Sequence, residues 1–220
     1  MDKTKIGWCD ERWNPVWGCS QNPPCPYCYA RKLAKRFGDP EFKPIWKQKN
    51  FDKSCSKKPS RIFVNSMSDI CWWEREWMEK ILKKIADNSI HTFLFLTKKP
   101  SVYSFYNFPS NCWLGTTITK EEELSEIILS KHHINFLSIE PILGHIDMRE
   151  KNKHGKRPDW IIVGAETGKR KDKVISKREW IAEIVDYCKR RNIPVFLKDS
   201  LQKIWGEGLI QEYPQENNCN

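Results

Sequence analysis

No stretch of this chain approaches the roughly 18 consecutive apolar residues that a helix needs to cross a bilayer. Its first residues, Met1 to Trp8, begin Met-Asp-Lys-Thr-Lys and lack the apolar core of a secretory leader. No membrane partner is therefore expected, and the expected compartment is the cytoplasm. A second Cys-x-x-Cys is also missing, which leaves no paired-knuckle framework for structural zinc. The cysteine count is odd, at nine, and no leader precedes it. Both facts argue against a disulfide scaffold, because the cytosol keeps thiols reduced.

Within those exclusions, 220 residues suffice for one well-buried domain and are short for two. Hydrophobic residues make up 39% and charged residues 30%, a balance that folds rather than stays disordered. The net charge of +10 would favour polyanions through steering and counterion release. Basic residues gather at Lys47 to Arg61, Lys151 to Arg157 and Lys169 to Arg178, which also reads as ordinary solvated loops. Eleven tryptophans offer stacking surfaces, although Trp160 and Trp180 fall in core-like patterns. Nucleic acid is thus a candidate partner on composition.

Short apolar runs rich in β-branched residues read as strands buried on both faces. They are Arg61 to Asn65, His91 to Thr97, Cys112 to Ile118, Ile134 to Ile139, Trp160 to Gly164 and Pro194 to Lys198, with Trp13 to Trp17 as a further candidate. Helical patterns alternate with them. Trp73, Trp77, Ile81 and Ile85 make one stripe, and Tyr29 to Phe37 reads as a helix stopped by Gly38. Thr119 with Glu122, and Ser176 with Glu179, have the spacing of capping boxes. Alternation of this kind implies an α/β fold with a parallel sheet. Six or seven units are too few for a complete eight-unit barrel, so an incomplete barrel and a doubly wound sheet both fit.

Polar residues collect where these strands end: Asn65-Ser-Met-Ser-Asp69, Thr97-Lys98, Thr116-Thr117, Glu140-Pro141, Gly164-Ala-Glu166 and Lys198-Asp199. In either parallel architecture the site lies at the carboxyl edge of the strands, so these residues are expected to line it. Trp72 and Trp73 lie just beyond Asp69, where they would gate the mouth or pack as core.

Three of the cysteines fall within ten residues, as Gly18-Cys19-Ser-Gln-Asn-Pro-Pro-Cys25-Pro-Tyr-Cys28. Such clustering points to a metal centre. The other six, Cys9, Cys55, Cys71, Cys112, Cys188 and Cys219, are scattered, as small buried apolar side chains would be. A cubane iron–sulfur cluster on Cys19, Cys25 and Cys28 would leave one iron without a protein ligand and open to a small molecule. The competing reading is zinc, with a fourth ligand from Cys9, Cys55 or a histidine.

Cys25-Pro-Tyr-Cys28 resembles the second half of the radical SAM motif, where an aromatic residue precedes the last cysteine. The first gap, five residues, is longer than in the common motif. More of the chain is similar to a phage-associated family of small three-cysteine radical-SAM-like proteins, a domain of unknown function that shares the stretched gap. The similarity runs through Trp13-Asn-Pro-Val-Trp-Gly-Cys19, Phe63-Val-Asn-Ser-Met-Ser-Asp69, Leu96-Thr-Lys98, Trp113-Leu-Gly115, Phe136-Leu-Ser-Ile-Glu-Pro141, Trp160-Ile-Ile-Val-Gly164 and Phe196-Leu-Lys198.

The resemblance implies one radical-SAM-like domain over residues 1–220, an incomplete (β/α)6-type parallel barrel, with a poorly ordered tail from about 211. It implies a [4Fe–4S] cluster on Cys19, Cys25 and Cys28, with S-adenosylmethionine as co-substrate. Tyr27 would lie near its adenine. Asn65, Ser66, Ser68 and Asp69 would hold its methionyl end, Thr116 and Glu140 would reach the ribose or the substrate, and Glu166 and Lys198 would face the substrate. A reductant such as flavodoxin or ferredoxin is implied. The expected activity is radical modification or repair of a nucleic acid base or nucleotide. The alternative is a zinc-stabilised nucleic-acid-binding protein without catalysis.

Overall fold

The computed structural model describes residues 1–149, 157–206 and 208–215. Most of the basic group Lys151 to Arg157, and Cys219, lie outside the described residues. The architecture is mixed α/β, in two compact units, Met1–Gly115 and Thr116–Asn220. No helix among the described residues is long and apolar enough to cross a membrane.

In the first unit the strands β1 (Asp2–Lys3), β2 (Glu11–Arg12), β5 (Arg61–Phe63), β6 (Thr92–Thr97) and β7 (Cys112–Ile118, which runs on into the second unit) follow one another as neighbours. The pairing of β2 with β5 and of β5 with β6 is parallel. A small antiparallel pair stands apart, β3 (Val16–Trp17) with β4 (Ile45–Trp46). The first unit's helices are α1 (Tyr29–Arg36), α2 (Gln48–Phe51) and α3 (Arg75–Ala86). The stripe expected after Trp73 is α3. Met78, Ile81 and Ile85 are fully buried there, in one apolar cluster with Ile62, Val64, Phe93 and Phe95 of the sheet.

In the second unit, β8 (Ile134–Ile139), β9 (Trp160–Val163) and β10 (Val195–Leu197) are parallel neighbours. Helix α4 (Arg178–Arg191) buries Ile181, Ile184, Val185 and Cys188 in one cluster with Ile161, Val163, Val195 and Leu197. A left-handed Asn192 closes it, the conformation Asn tolerates best after Gly. The short α5 (Gln202–Trp205) follows. Residues 210–213 then run antiparallel along β10. Leu197 N donates to the Ile210 carbonyl at 2.7 Å and Glu212 N to the Val195 carbonyl at 3.0 Å. Trp160 Nε1 donates to the Glu212 carbonyl at 2.9 Å, and Tyr213 packs on Trp160 and Phe196. This segment covers the sheet edge at β10, whose backbone groups would otherwise be unpaired. Of the tail from about 211, residues 216–220 lie outside the described residues.

Two helix-start expectations are corrected. Thr119 does head a turn, but its N–H and hydroxyl bond Glu123 rather than Glu122, and the segment is only a 3-10 turn, Glu121–Glu126. Ser176 does not cap α4. Its hydroxyl donates to the Ile142 carbonyl at 3.3 Å, and Lys177 takes the cap position. A 3-10 turn, Pro100–Phe105, also stands between β6 and β7. Truncating the best-packed helix contacts in each unit, by Ile81→Ala and by Ile184→Ala, is expected to lower stability by about 2–5 kcal/mol each in urea unfolding.

Candidate metal and cofactor site

The cysteine loop is tethered before any metal is considered. Gly18 N donates to the Met67 carbonyl at 3.0 Å and Cys19 N to the Phe42 carbonyl at 2.7 Å. Gly18 has φ +101°, and a Cβ there would collide with the Lys43 carbonyl, so only glycine fits the approach. Phe42 is also left-handed, at φ 54°, yet fully buried, an arrangement that costs about 1–3 kcal/mol for a bulky residue. Its N–H is held by Asp39 Oδ1 at 2.9 Å. From α1, Arg31 reaches back to the carbonyls of Cys19 at 3.0 Å and Glu41 at 3.3 Å, with its guanidinium over the Phe42 ring. Cys19 and Cys28 pack on a small apolar floor of Ala30, Ala34, Phe42 and Met67.

Cys28 is the N-cap of α1. Its sulfur accepts the Arg31 N–H at 3.3 Å, so the loop ends where the helix presents free backbone donors. Burial pushes the Cys19 thiol up to about 11. A backbone N–H of Gln21 opposes the rise, while Asp69, Cys28 and Cys25 add to it. Cys19 thus feels both other thiols of the loop. The half-buried Cys71 thiol is likewise pushed up by burial, with Asp69 and then Cys19 adding to the rise. Cys9, Cys112 and Cys188 are buried, as small apolar side chains are expected to be, and Cys55 is half-buried.

Among the described residues, no group of three or more His, Cys, Asp or Glu side chains is arranged around a single ion position. The donor set is nevertheless the one that iron–sulfur chemistry uses, soft thiols from one tethered loop. In a cubane each thiolate binds a different iron. The ligands therefore need a shared neighbourhood rather than a shared point.

The loop after β5 is built around its own hydrogen bonds. Asn65 is buried and exchanges bonds with the Leu96 backbone, Nδ2 to O at 2.6 Å and N to Oδ1 at 3.0 Å, with a weaker bond to the Ser68 carbonyl. Ser66 Oγ and Met67 N both donate to Asn14 Oδ1 at 3.0 Å. Tyr29 OH donates to the Ser66 carbonyl. Ser68 Oγ accepts Trp73 Nε1 at 3.1 Å, so Trp73 is a buried brace rather than a gate. Asp69 accepts Thr97 Oγ1 at 2.6 Å, Lys98 N at 3.0 Å and Cys71 N at 3.1 Å. The polar groups of this loop are thus engaged within the protein. Lys98 differs. Its Nζ is buried without a hydrogen-bond partner among the described residues and lies 5.4 Å from the centre of the Tyr27 ring.

The second unit holds the remaining expected residues. Glu140 follows β8 and Lys198 follows β10, and the two form an ion pair, with Ser138 Oγ donating to the other Glu140 oxygen at 3.1 Å. Gly164 makes room for the pair: a Cβ there would stand 2.9 Å from Glu140 Cγ and 3.1 Å from Lys198 Cδ. Glu166 is buried and bidentate with Arg170, at 2.7 and 2.8 Å. Thr116 lies inside β7, not at its end, and is buried.

Thr97 and Lys98, expected at a strand end, are part of this site, and Asn14, Arg31 and Cys71 join them without having been singled out from sequence. Arg31 had a signal, lying three residues beyond the last cysteine of the cluster, and Asn14 lay in the run Trp13 to Cys19. Cys71 had none.

Together the fold and this loop define a mixed α/β protein whose three-cysteine loop is docked on the segment that follows β5. The chain belongs to the family described as Protein of unknown function (DUF5131), whose model matches residues 3–216. No curated protein matches it, and no solved structure does.

Asp69→Ala strips the acceptor from three donors and is expected to cost about 2–4 kcal/mol in chemical unfolding. Asp69→Asn, which keeps one acceptor oxygen, is expected to recover part of that loss.

Proposed function

We propose that this protein is a radical S-adenosylmethionine enzyme of the incomplete-barrel type, acting on a nucleic acid base or nucleotide. The observation that carries the reading is the loop bearing three thiols, Cys19, Cys25 and Cys28, which is fixed by the Gly18 and Cys19 N–H bonds and by Arg31. These three would hold a [4Fe–4S] cluster with one iron free of protein ligands. When bound, the cluster would supply the single electron that cleaves the sulfonium bond of S-adenosylmethionine to give a 5′-deoxyadenosyl radical.

The chain's own residues do the placing. Arg31, Gly18 and the Phe42 carbonyl fix the loop, and α1 presents its first N–H groups at Cys28. Tyr27 offers an aromatic face, and the Lys98 ammonium above it suits an anionic group, such as the methionyl carboxylate or the metal–thiolate centre itself. Asn65, Ser66, Ser68 and Asp69 act as positioning residues that hold the wall of the site. The second unit has its own polar pair at strand ends, Glu140 with Lys198, while Glu166 is buried in its bidentate bond with Arg170 and acts as a brace. Reducing equivalents would come from a flavodoxin- or ferredoxin-type donor.

The proximity of Cys71 to Cys19 keeps a second reading open, zinc completed by a fourth sulfur in a nucleic-acid-binding protein. Metal content separates the two. Anaerobic reconstitution with iron and sulfide is expected to give a brown protein with about four irons per chain. Cys19→Ala, Cys25→Ala and Cys28→Ala are each expected to lose it, and Cys188→Ala to keep it. One tightly held zinc per chain, lost with Cys71→Ala, would select the second reading. Reduced cluster-loaded protein given S-adenosylmethionine is expected to release 5′-deoxyadenosine, and a loaded protein that binds none would overturn the enzyme assignment.

A further inference from the structure

A cleft of about 410 Å³ opens in the first unit, with Ile70, Cys71, Trp73, Arg75, Lys99 and Phe105 among its lining. Its volume is that of a small-ligand site. The lining carries two cations and three aromatic rings (Tyr106 is the third) and no carboxylate. Phe105 closes the 3-10 turn Pro100–Phe105 and is 72% exposed, a large apolar ring left in water at the cleft's edge. Lys99 Nζ lies 4.4 Å above the Trp72 ring, and Trp72 Nε1 is buried with no acceptor among the described residues. Arg75 does have an acidic neighbour outside the lining, Glu79, at 2.9 Å. Both side chains are largely exposed, and a pair of that kind contributes little and exchanges readily for a phosphate.

We propose that this cleft binds a nucleotide of single-stranded nucleic acid, its base stacked on Phe105 and its phosphate held by Lys99 and Arg75. Aromatic faces beside a cationic track are how single strands are held without regard to sequence. A single strand is also the form in which a base can reach an enclosed site without paying for unpairing. Cys71 gives the location a purpose. It lines the cleft, and its N–H bonds Asp69 in the loop to which Gly18 is tethered through the Met67 carbonyl, so the cleft adjoins the wall on which the cysteine loop is docked. The inference rests on the proposed function for its choice of nucleic acid, but the cleft needs no metal to bind.

The test is fluorescence anisotropy of a labelled single-stranded oligothymidylate with the full chain, with and without reconstituted iron. Phe105→Ala is expected to weaken binding about 5- to 100-fold, and Phe105→Trp to retain it. Phe105 is exposed, so these variants keep the fold, which circular dichroism verifies. Lys99→Gln is expected to weaken binding and lower the slope of log affinity against log salt by about one. Wild-type affinity in Phe105→Ala, or no binding by the wild type, overturns the proposal. So does equal affinity for the matching duplex or for heparin, which would make the surface a general polyanion patch. Protein that takes up no iron on reconstitution yet binds through Phe105 keeps the cleft and counts against the cluster, whereas cluster-loaded protein indifferent to Phe105 does the reverse.

Discussion

The Asp69 carboxylate ties together the parts of the first unit on which the site depends. One oxygen takes the Thr97 hydroxyl and the Cys71 N–H, and the other takes the Lys98 N–H. The ends of β5 and β6 are thereby locked to each other and to the turn that carries Cys71. Asn65 repeats the lock one step earlier, through both backbone groups of Leu96. Buried polar networks of this kind are costly when incomplete and rigid when satisfied. Here they hold the wall against which the cysteine loop is docked.

The loop itself is held from the other side by strain and charge. Phe42 occupies a conformation a bulky side chain avoids, and it persists because the ring is buried beneath the cysteines while its carbonyl is needed by Cys19. Arg31 adds a charged donor to the Cys19 carbonyl. A loop fixed by so many backbone contacts presents its thiols in a set arrangement, which the proposed metal site would require.

The two units use polar groups differently. In the first, the side chains expected at the methionyl end instead bind the protein's own backbone and side chains, while Lys98 Nζ is buried with no hydrogen-bond partner among the described residues. In the second, charges at the strand ends are closed into pairs, Glu140 with Lys198 and Glu166 with Arg170. Paired charges keep their donors and acceptors in a defined register, whereas Lys98 keeps a demand for an anion. Both are consistent with the proposed chemistry, and they make different demands on what binds.

Most strands were legible in the sequence because apolar β-branched runs bounded by polar residues have few other uses. Helices α3 and α4 announced themselves by their periodicity. The three-cysteine loop was legible because its cysteines lie within ten residues of one another. What the sequence could not supply was partnership at a distance. Whether Asn65 faces a ligand or the Leu96 backbone depends on a strand about thirty residues away, and Asp69 owes two of its three donors to the same neighbour. The strand expected over Cys112 to Ile118 is β7, and burial of Thr116 within it is a matter of packing. Cys71 looked like filler, and only folding brings its N–H to Asp69 and its side chain to the cleft. Sequence alone therefore determined which residues make elements and where three cysteines cluster. Only the tertiary structure decided which polar groups are spent on the fold and which are left for a ligand, because that division is made by the hydrogen-bond partners each one finds.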